Sequence, residues 1–357
     1  MSGPLEGVRI VELGVWVAGP GAGGILADWG ADVVKIEPPE GDPCRTFLNV
    51  LGGDLPSNPV FELDNRGKRA IALDLSSRRG VELAHQLVAE ADVFLTNLRP
   101  AALERIGLGP DQVHERHPGL VYAIITGYGL EDPDAEQGAY DVAAFWARAG
   151  IAESLRAPGG PLPFQRGGMG DHSAAMTAAA MISAALVEHA RSGRGQVVST
   201  SLLRQGCYTI GFDLNVMLMW GRTLNVGVRE TMFSPVVNNY TAGDGRAFWI
   251  VGLEGDRHWP ALCRAVGHPE WVDDARFANE YFGLLGRGFV SIRIQAPDDK
   301  RELRLRGNGK WLDGYFDHEI EHYLDDVTPG YTIVNDGTTD ELYDDVVKVL
   351  ERERKRR

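Results

Sequence analysis

One carboxylate in this sequence stands where nucleophilic chemistry is easily arranged. Asp171 lies in GGMGDHSAAM, between a glycine-rich turn and the stretch DHSAAMTAAAMISAALVEH, whose Ala and Met content predicts a helix over Asp171–His189, stopped by Gly193 and Gly195. An Asp in that setting reads first as a helix N-cap. It also suits a nucleophile, because helix-terminal N–H groups and the macrodipole favour its ionised form and the preceding glycines leave room for a substrate carbonyl. The two roles are compatible. His172 follows directly and is expected to point elsewhere.

Other candidate motifs are weaker. Gly19, Gly21 and Gly24 form G-x-G-x-x-G after a predicted strand, with Glu37 at the end of the next one. That spacing imitates a dinucleotide fingerprint, in which an acidic residue holds ribose; a tight strand-to-helix turn explains it equally well. His318–His322 satisfies H-E-x-x-H but brings no evident third zinc ligand, and its acidic surroundings fit a solvated helix face. Gly307-Asn308-Gly309-Lys310 lacks the earlier glycine of a phosphate loop, and Trp311 replaces its Ser or Thr, so a kinase site is rejected. There is no G-x-S-x-G elbow, which disfavours an ordinary hydrolase.

The elements that must position Asp171 follow from hydrophobic periodicity. Apolar runs at Val8–Leu13, Asp32–Glu37, Ala70–Leu75, Val93–Thr96 and Leu120–Thr126 read as strands, and Arg79–Glu90 and Ala101–Ile106 have helical spacing. Alternation of strands and helices predicts an α/β fold with a parallel, doubly wound sheet. After Gln196–Leu203 and a helical Tyr208–Trp220, Asn238–Ile250 reads as two strands joined by a Gly-Asp-Gly turn, the start of a second, smaller α+β domain.

A chain of 357 residues accommodates two domains. Its net charge of -14 argues against nucleic acid as a partner, since phosphate binding needs a basic surface. Cys44, Cys207 and Cys263 are too scattered for a disulfide framework or a C-x-x-C site, which fits a reducing compartment. The start MSGPLEGVRI lacks the basic and apolar regions of a signal peptide, and no uninterrupted apolar run reaches a membrane span of about 18 residues. A cytoplasmic protein without membrane partners is expected.

Several ordered segments together resemble the family III CoA-transferases, with the α-methylacyl-CoA racemases as relatives. They are VAGPGAGGILADWGADVVKIEPPEGDPCR at Val17–Arg45, DNRGKRAIALDL at Asp64–Leu75, TNLRPAALERIGLG at Thr96–Gly109 and ITGYG at Ile125–Gly129. The Tyr140-Asp141 pair, GDHSAAMTAAAMISAAL at Gly170–Leu186 and SGRGQVVSTSL at Ser192–Leu202 complete the series. The resemblance implies a Rossmann-like domain that binds CoA rather than NAD, with Val17, Ala18, Leu73, Asn97 and Arg105 lining the nucleotide part of CoA and Arg105 serving a phosphate.

It also implies that Asp171 is the catalytic aspartate, passing through an aspartyl anhydride and an aspartyl-CoA thioester before a carboxylic acid acceptor collects the CoA. Acyl-CoA is then a substrate, no cofactor is permanently bound, no metal is needed, and the protein forms an interlocked homodimer. The racemases place a His where this chain has Tyr140, a poor base but a fair hydrogen-bond donor, so transfer is preferred over racemisation. A CoA-binding protein without turnover is a third reading, and a dinucleotide oxidoreductase a fourth. The glycine run found over the catalytic aspartate in some formyl-CoA transferases is missing between Asn225 and Tyr240, which implies a different lid and acceptor.

The expected organisation is a Rossmann-like CoA-binding and catalytic domain at 1–205, a helical linker at 206–230, the start of the small domain at 231–279 and a divergent, charged α/β segment at 280–357. Within that last segment, Thr328–Glu353 resembles the tail of a nucleoside monophosphate kinase-like protein, and a junction near Asn279 is expected.

Overall fold

The structure is a computed structural model that describes residues 3–51, 57–131, 133–223, 229, 236–272, 292–295, 331–334 and 339–354. The chain divides into two compact units, 1–226 and 227–357. The division falls inside the segment 206–230.

In the first unit, β1 (Arg9–Leu13), β2 (Asp32–Glu37), β3 (Arg69–Ala72), β4 (Val93–Thr96), β5 (Val121–Thr126) and β6 (Val197–Ser201) form one parallel sheet in the order β3-β2-β1-β4-β5-β6. Ile10 pairs with Val33 of β2 and Val93 of β4, so β1 is central, and the strand order reverses between β1 and β4. Such a reversal opens a crevice beyond the carboxyl ends of the strands, where α/β proteins bind ligands.

The central strands are buried on both faces, which is why they read as continuous apolar runs. Successive side chains alternate. Val93, Leu95, Val121, Ala123 and Ile125 pack on one side with α1 (Ala18–Asp28) and α7 (Met169–Ser192). Phe94, Tyr122 and Ile124 pack on the other with Ala84 and Val88 of α3 (Arg78–Ala89), Leu103 of α4 (Pro100–Arg105) and Val113 of α5 (Pro110–Arg116). Between β2 and β3 lie a 3₁₀ segment, Pro43–Leu51, and α2 (Pro59–Asn65), whose N-terminus is capped by Asn58 Oδ1 accepting from the N–H groups of Val60 and Phe61 at 3.0 and 3.2 Å.

The crossover from β5 to β6 carries a π-helical turn at Val142–Arg148, the short α6 (Ile151–Ser154) and the 24-residue α7. By length and composition α7 is apolar enough to cross a membrane. Ala174, Ala175, Ala178, Ala179, Ile182 and Ala185 nevertheless pack it into the core of this unit. The predicted helix over Tyr208–Trp220 is two: α8 (Leu202–Thr209) ends before α9 (Gly211–Trp220) starts.

In the second unit, β7 (Val237–Thr241) and β8 (Ala247–Val251) pair antiparallel across the expected turn. α10 (Gly255–Ala265) supplies Trp259 and Cys263 to a small cluster with Val236. Farther along, β9 (Ile292–Gln295) and β10 (Tyr331–Val334) pair in parallel, and α11 (Thr339–Arg354) follows. The H-E-x-x-H segment at His318–His322 and the loop at Gly307–Lys310 lie outside the described residues.

Candidate active site

Asp171 occupies the third residue of α7. The cap is Gly168, in the left-handed conformation at φ 78°, and no side chain caps the helix. The N-cap role expected of Asp171 is therefore corrected: glycine reverses the chain three residues earlier and leaves the carboxylate in the first turn. Gly170 lets this turn approach the π-helical segment, since a Cβ there would lie 2.5 Å from the Phe145 side chain. Because β5 and β6 are parallel, the helix joining them runs back along the sheet. Its first turn, with Asp171, thus lies at the carboxyl edge of the strands.

The charge environment also differs from expectation. Burial first, then the negative charge of Asp141 and, more weakly, that of Asp64 push Asp171 up from 3.8 to about 7, against the opposing charge of His172. Desolvation and repulsion thus outweigh the helix N-terminus that was expected to favour the anion. Asp141 opens the π-helical turn, is buried, and accepts a 2.9 Å hydrogen bond from Gln165 Nε2.

His172 has a defined partner. Its Nε2 lies 3.1 Å from Oδ1 of Asp64, which α2 brings in from 108 positions earlier in the chain. Asp64 is buried, while the imidazole is about half exposed. The hydrogen bond to Asp64 raises the ring's pKa, against desolvation. Sequence reasoning missed this pair, because nothing local marks Asp64 as a partner for a residue so distant. Cys44, also buried nearby in the fold, is held as an inert thiol at about 11 by burial and by Asp42 and Asp64. No metal-binding group of three His, Cys, Asp or Glu side chains forms among the described residues.

Two clefts open along the same edge of the sheet. One, of about 460 Å³, is lined by Val15, Trp16, Asn97, Leu98, Arg99, Thr126, Gly127 and Tyr140 among others. The second, of about 600 Å³, is lined by Leu13, Ile36, Pro38, Leu73 and Ser76 and shares Val15 and Leu98 with the first. Asn97 and Tyr140 therefore meet in one cleft and Leu73 faces the other. Val17, Ala18, Arg105 and Asp171 line neither.

Asn97 is committed to the backbone: its Oδ1 accepts from Val15 N at 2.9 Å and its Nδ2 donates to Val15 O at 2.8 Å. Tyr140 is 63 % exposed and stands edge-on to Trp16 with ring centres 5.8 Å apart. Arg105 closes α4, is exposed and forms no ion pair among the described residues. Val17 precedes α1, and Ala18 is buried at its start.

The loop after β1 is held by a buried charge cluster. Lys35 Nζ lies 2.9 Å from both Glu12 Oε1 and Asp42 Oδ2, and Lys68 Nζ lies 2.7 Å from Glu12 Oε2. Lys35 also donates to Gly14 O, Lys68 donates to Pro20 O, and Asp42 Oδ1 accepts from Trp16 N at 3.1 Å. These bonds stabilise Trp16 at φ 65°, the one non-glycine residue with positive φ among those described.

Two readings of the glycine motif are corrected. Gly19, Gly21 and Gly24 lie within α1 rather than in a turn. Added Cβ atoms there would meet Asn97 at 3.0 Å, Ala175 at 3.0 Å and the Asp64 carbonyl oxygen at 2.9 Å, respectively, so these glycines serve close packing. Glu37 is not free for a ribose, because Arg45 clamps it with two bonds of 2.8 Å and Asp42 N donates to it. The dinucleotide reading loses its acidic residue.

A doubly wound sheet with a crevice at its reversal and a carboxylate at the head of the last crossover helix defines a ligand-binding α/β enzyme. The sequence profile of CoA-transferase family III matches residues 5–282, and the chain belongs to this family. It is 35 % identical over 281 residues to the (R)-2-hydroxy-4-methylpentanoate CoA-transferase of Clostridioides difficile, covering 77 % of this chain and 69 % of that one. The cinnamoyl-CoA:phenyllactate CoA-transferase of Clostridium sporogenes is also 35 % identical, over 76 % of this chain and 67 % of its own. Among solved structures, a CAIB/BAIF family protein from Brucella suis superposes with a TM-score of 0.70 at 28 % identity, covering 92 % of this chain and 83 % of that one. The protein is a family III CoA-transferase.

Proposed function

We propose that Asp171 is the nucleophile by which this enzyme moves CoA from an acyl-CoA to a carboxylic acid. The Asp171 carboxylate attacks the thioester carbonyl; the C–S bond breaks and CoA leaves as the thiolate, giving an aspartyl anhydride. The thiolate attacks the aspartyl carbonyl and releases the donor acid, leaving an aspartyl-CoA thioester. The acceptor carboxylate attacks that thioester, and the liberated thiolate then takes the acceptor's acyl group and regenerates Asp171. Each step exchanges one acyl bond for another, so no external base or water is consumed.

The observation that carries this reading is a carboxylate held near neutrality at the carboxyl edge of the sheet. A more basic, partly desolvated carboxylate is a better nucleophile than an ordinary solvated one. Val17, Ala18, Leu73, Asn97 and Arg105 are proposed to line the CoA site, with Tyr140 as a hydrogen-bond donor to substrate. The clefts at Leu73 and Asn97 support that assignment, as does Arg105, which is exposed and forms no ion pair among the described residues. We further propose a cytoplasmic homodimer, testable by light scattering. We also propose a junction near Asn279. Peptide mapping against the gene tests it, and an uninterrupted native product contradicts it.

The test of function is turnover by mass spectrometry with an acyl-CoA and a panel of acids that includes 2-hydroxy acids. Wild type should form the acceptor's CoA thioester, and Asp171→Ala should lose at least about 10³-fold in rate. Full turnover by Asp171→Ala would sink the reading. The imidazole beside Asp171 favours one alternative, proton exchange at the α-carbon; deuterium uptake into a 2-methylacyl-CoA without CoA transfer would identify it.

A further inference from the structure

We infer that Asp64 and His172 form a positioning pair that keeps a positive charge beside Asp171, so that the reactive carboxylate is available as an anion among two others. The inference rests on Asp171 being the nucleophile. Its basis is the way the pair is built. Asp64 is buried, its Oδ1 meets His172 Nε2 at 3.1 Å, and its Oδ2 has no hydrogen-bond partner among the described residues. A buried carboxylate with a single donor is costly unless that donor is charged, so the folded protein favours the imidazolium.

The packing around the ring is specific to this arrangement. α1 presents Gly21, where a Cβ would lie 3.3 Å from Asp64 Oδ1 and 3.8 Å from His172 Cδ2, and α2 is fixed by its Asn58 cap. Three carboxylates act on the ring: Asp64 of α2, in direct contact, and, through their charge, Asp171 of its own helix and Asp141 of the π-helical turn. Lys68, a cation that also interacts with Asp64, is tied to Glu12. Neighbouring positions on a helix diverge by about 100°, so His172 acts on Asp171 through its charge and not through a direct hydrogen bond.

The sign follows. His172 lowers the pKa of Asp171 and Asp141 raises it. Removing the cation must therefore move the acid limb of the transferase pH profile to higher pH. His172→Gln is expected to lose at least about tenfold more activity at pH 6 than at pH 9, relative to wild type, whereas His172→Arg, which keeps the charge, restores the wild-type limb. In full-length wild type labelled with ¹⁵N-histidine, the His172 ring should titrate above an ordinary histidine, and in Asp64→Asn its pKa should fall. A uniform loss of His172→Gln activity at every pH, or a ring in wild type that titrates at or below the ordinary value, would overturn the inference. The ring titration needs no His172 variant to fold. The two claims separate cleanly: if Asp171→Ala is inactive while His172→Gln keeps the wild-type limb, only the positioning pair is lost.

Discussion

Two buried charge clusters lie at the same end of the sheet, and their composition sets them apart. Around β1, Glu12 and Asp42 are matched by Lys35 and Lys68, with every ion pair at 2.7–2.9 Å. Around the head of α7, Asp64, Asp141 and Asp171 share one half-exposed imidazole. Equal numbers of opposite charges, mutually bonded, hold a loop in place. A surplus of carboxylates instead leaves one of them near neutrality, which destabilises the anion and makes it reactive. The first cluster shapes the site and the second performs the chemistry.

That contrast is broken most sharply by removing a cation from the balanced cluster. Lys35→Met strands Asp42 in the interior and leaves Glu12 with Lys68 alone, and should lower stability by about 3–5 kcal/mol in urea unfolding, with the loop at Trp16 released. A loss below about 1 kcal/mol would show that the cluster does not hold the fold.

The surplus cluster should respond with the opposite sign. The folded protein holds the Asp171 proton between the ordinary value of 3.8 and about 7. Below pH 4 both folded and unfolded chains are protonated and the raised pKa has no cost; as pH rises through about 7 the folded state loses that advantage. Asp171→Asn should therefore match wild type in stability near pH 4 and exceed it by on the order of 2 kcal/mol at pH 8, allowing for partial solvent screening. Thermal unfolding at the two pH values measures this, and a variant less stable than wild type at pH 8 would remove the strain from the account.

The smallest effect lies at the rim of that cluster. Gln165→Ala removes the hydrogen bond to Asp141 Oδ2 and should lower stability by about 1 kcal/mol, with CoA transfer retained. A loss of transfer as large as that of Asp171→Ala would place Gln165 in the chemistry itself.

What the sequence revealed, and what it concealed, follows from the range of the interactions. VVKIE, VFLT and VYAIIT were legible as strands because both faces of the sheet are buried, so period-2 alternation gives way to continuous apolar runs. The helix beginning near Asp171 was legible from its alanines, and the residue itself from its place at the helix head and from the family resemblance. Its cap was not, because Gly168 reverses the chain by backbone conformation alone. The pairing of His172 with Asp64 spans 108 positions and exists only once α1, α2 and α7 pack together. The glycines of α1 misled for a related reason: their spacing matches a dinucleotide fingerprint, but their partners are Asn97, Ala175 and Asp64.

The central claim is that Asp171 becomes covalently acylated. The direct measurement is to incubate wild-type protein with acyl-CoA, quench with hydroxylamine, digest, and read the mass of the peptide that contains Asp171. A hydroxamate at Asp171, dependent on acyl-CoA and missing from the His172 peptide fragments that exclude it, is the predicted result. Multiple turnovers of CoA transfer with Asp171 unmodified throughout would contradict it.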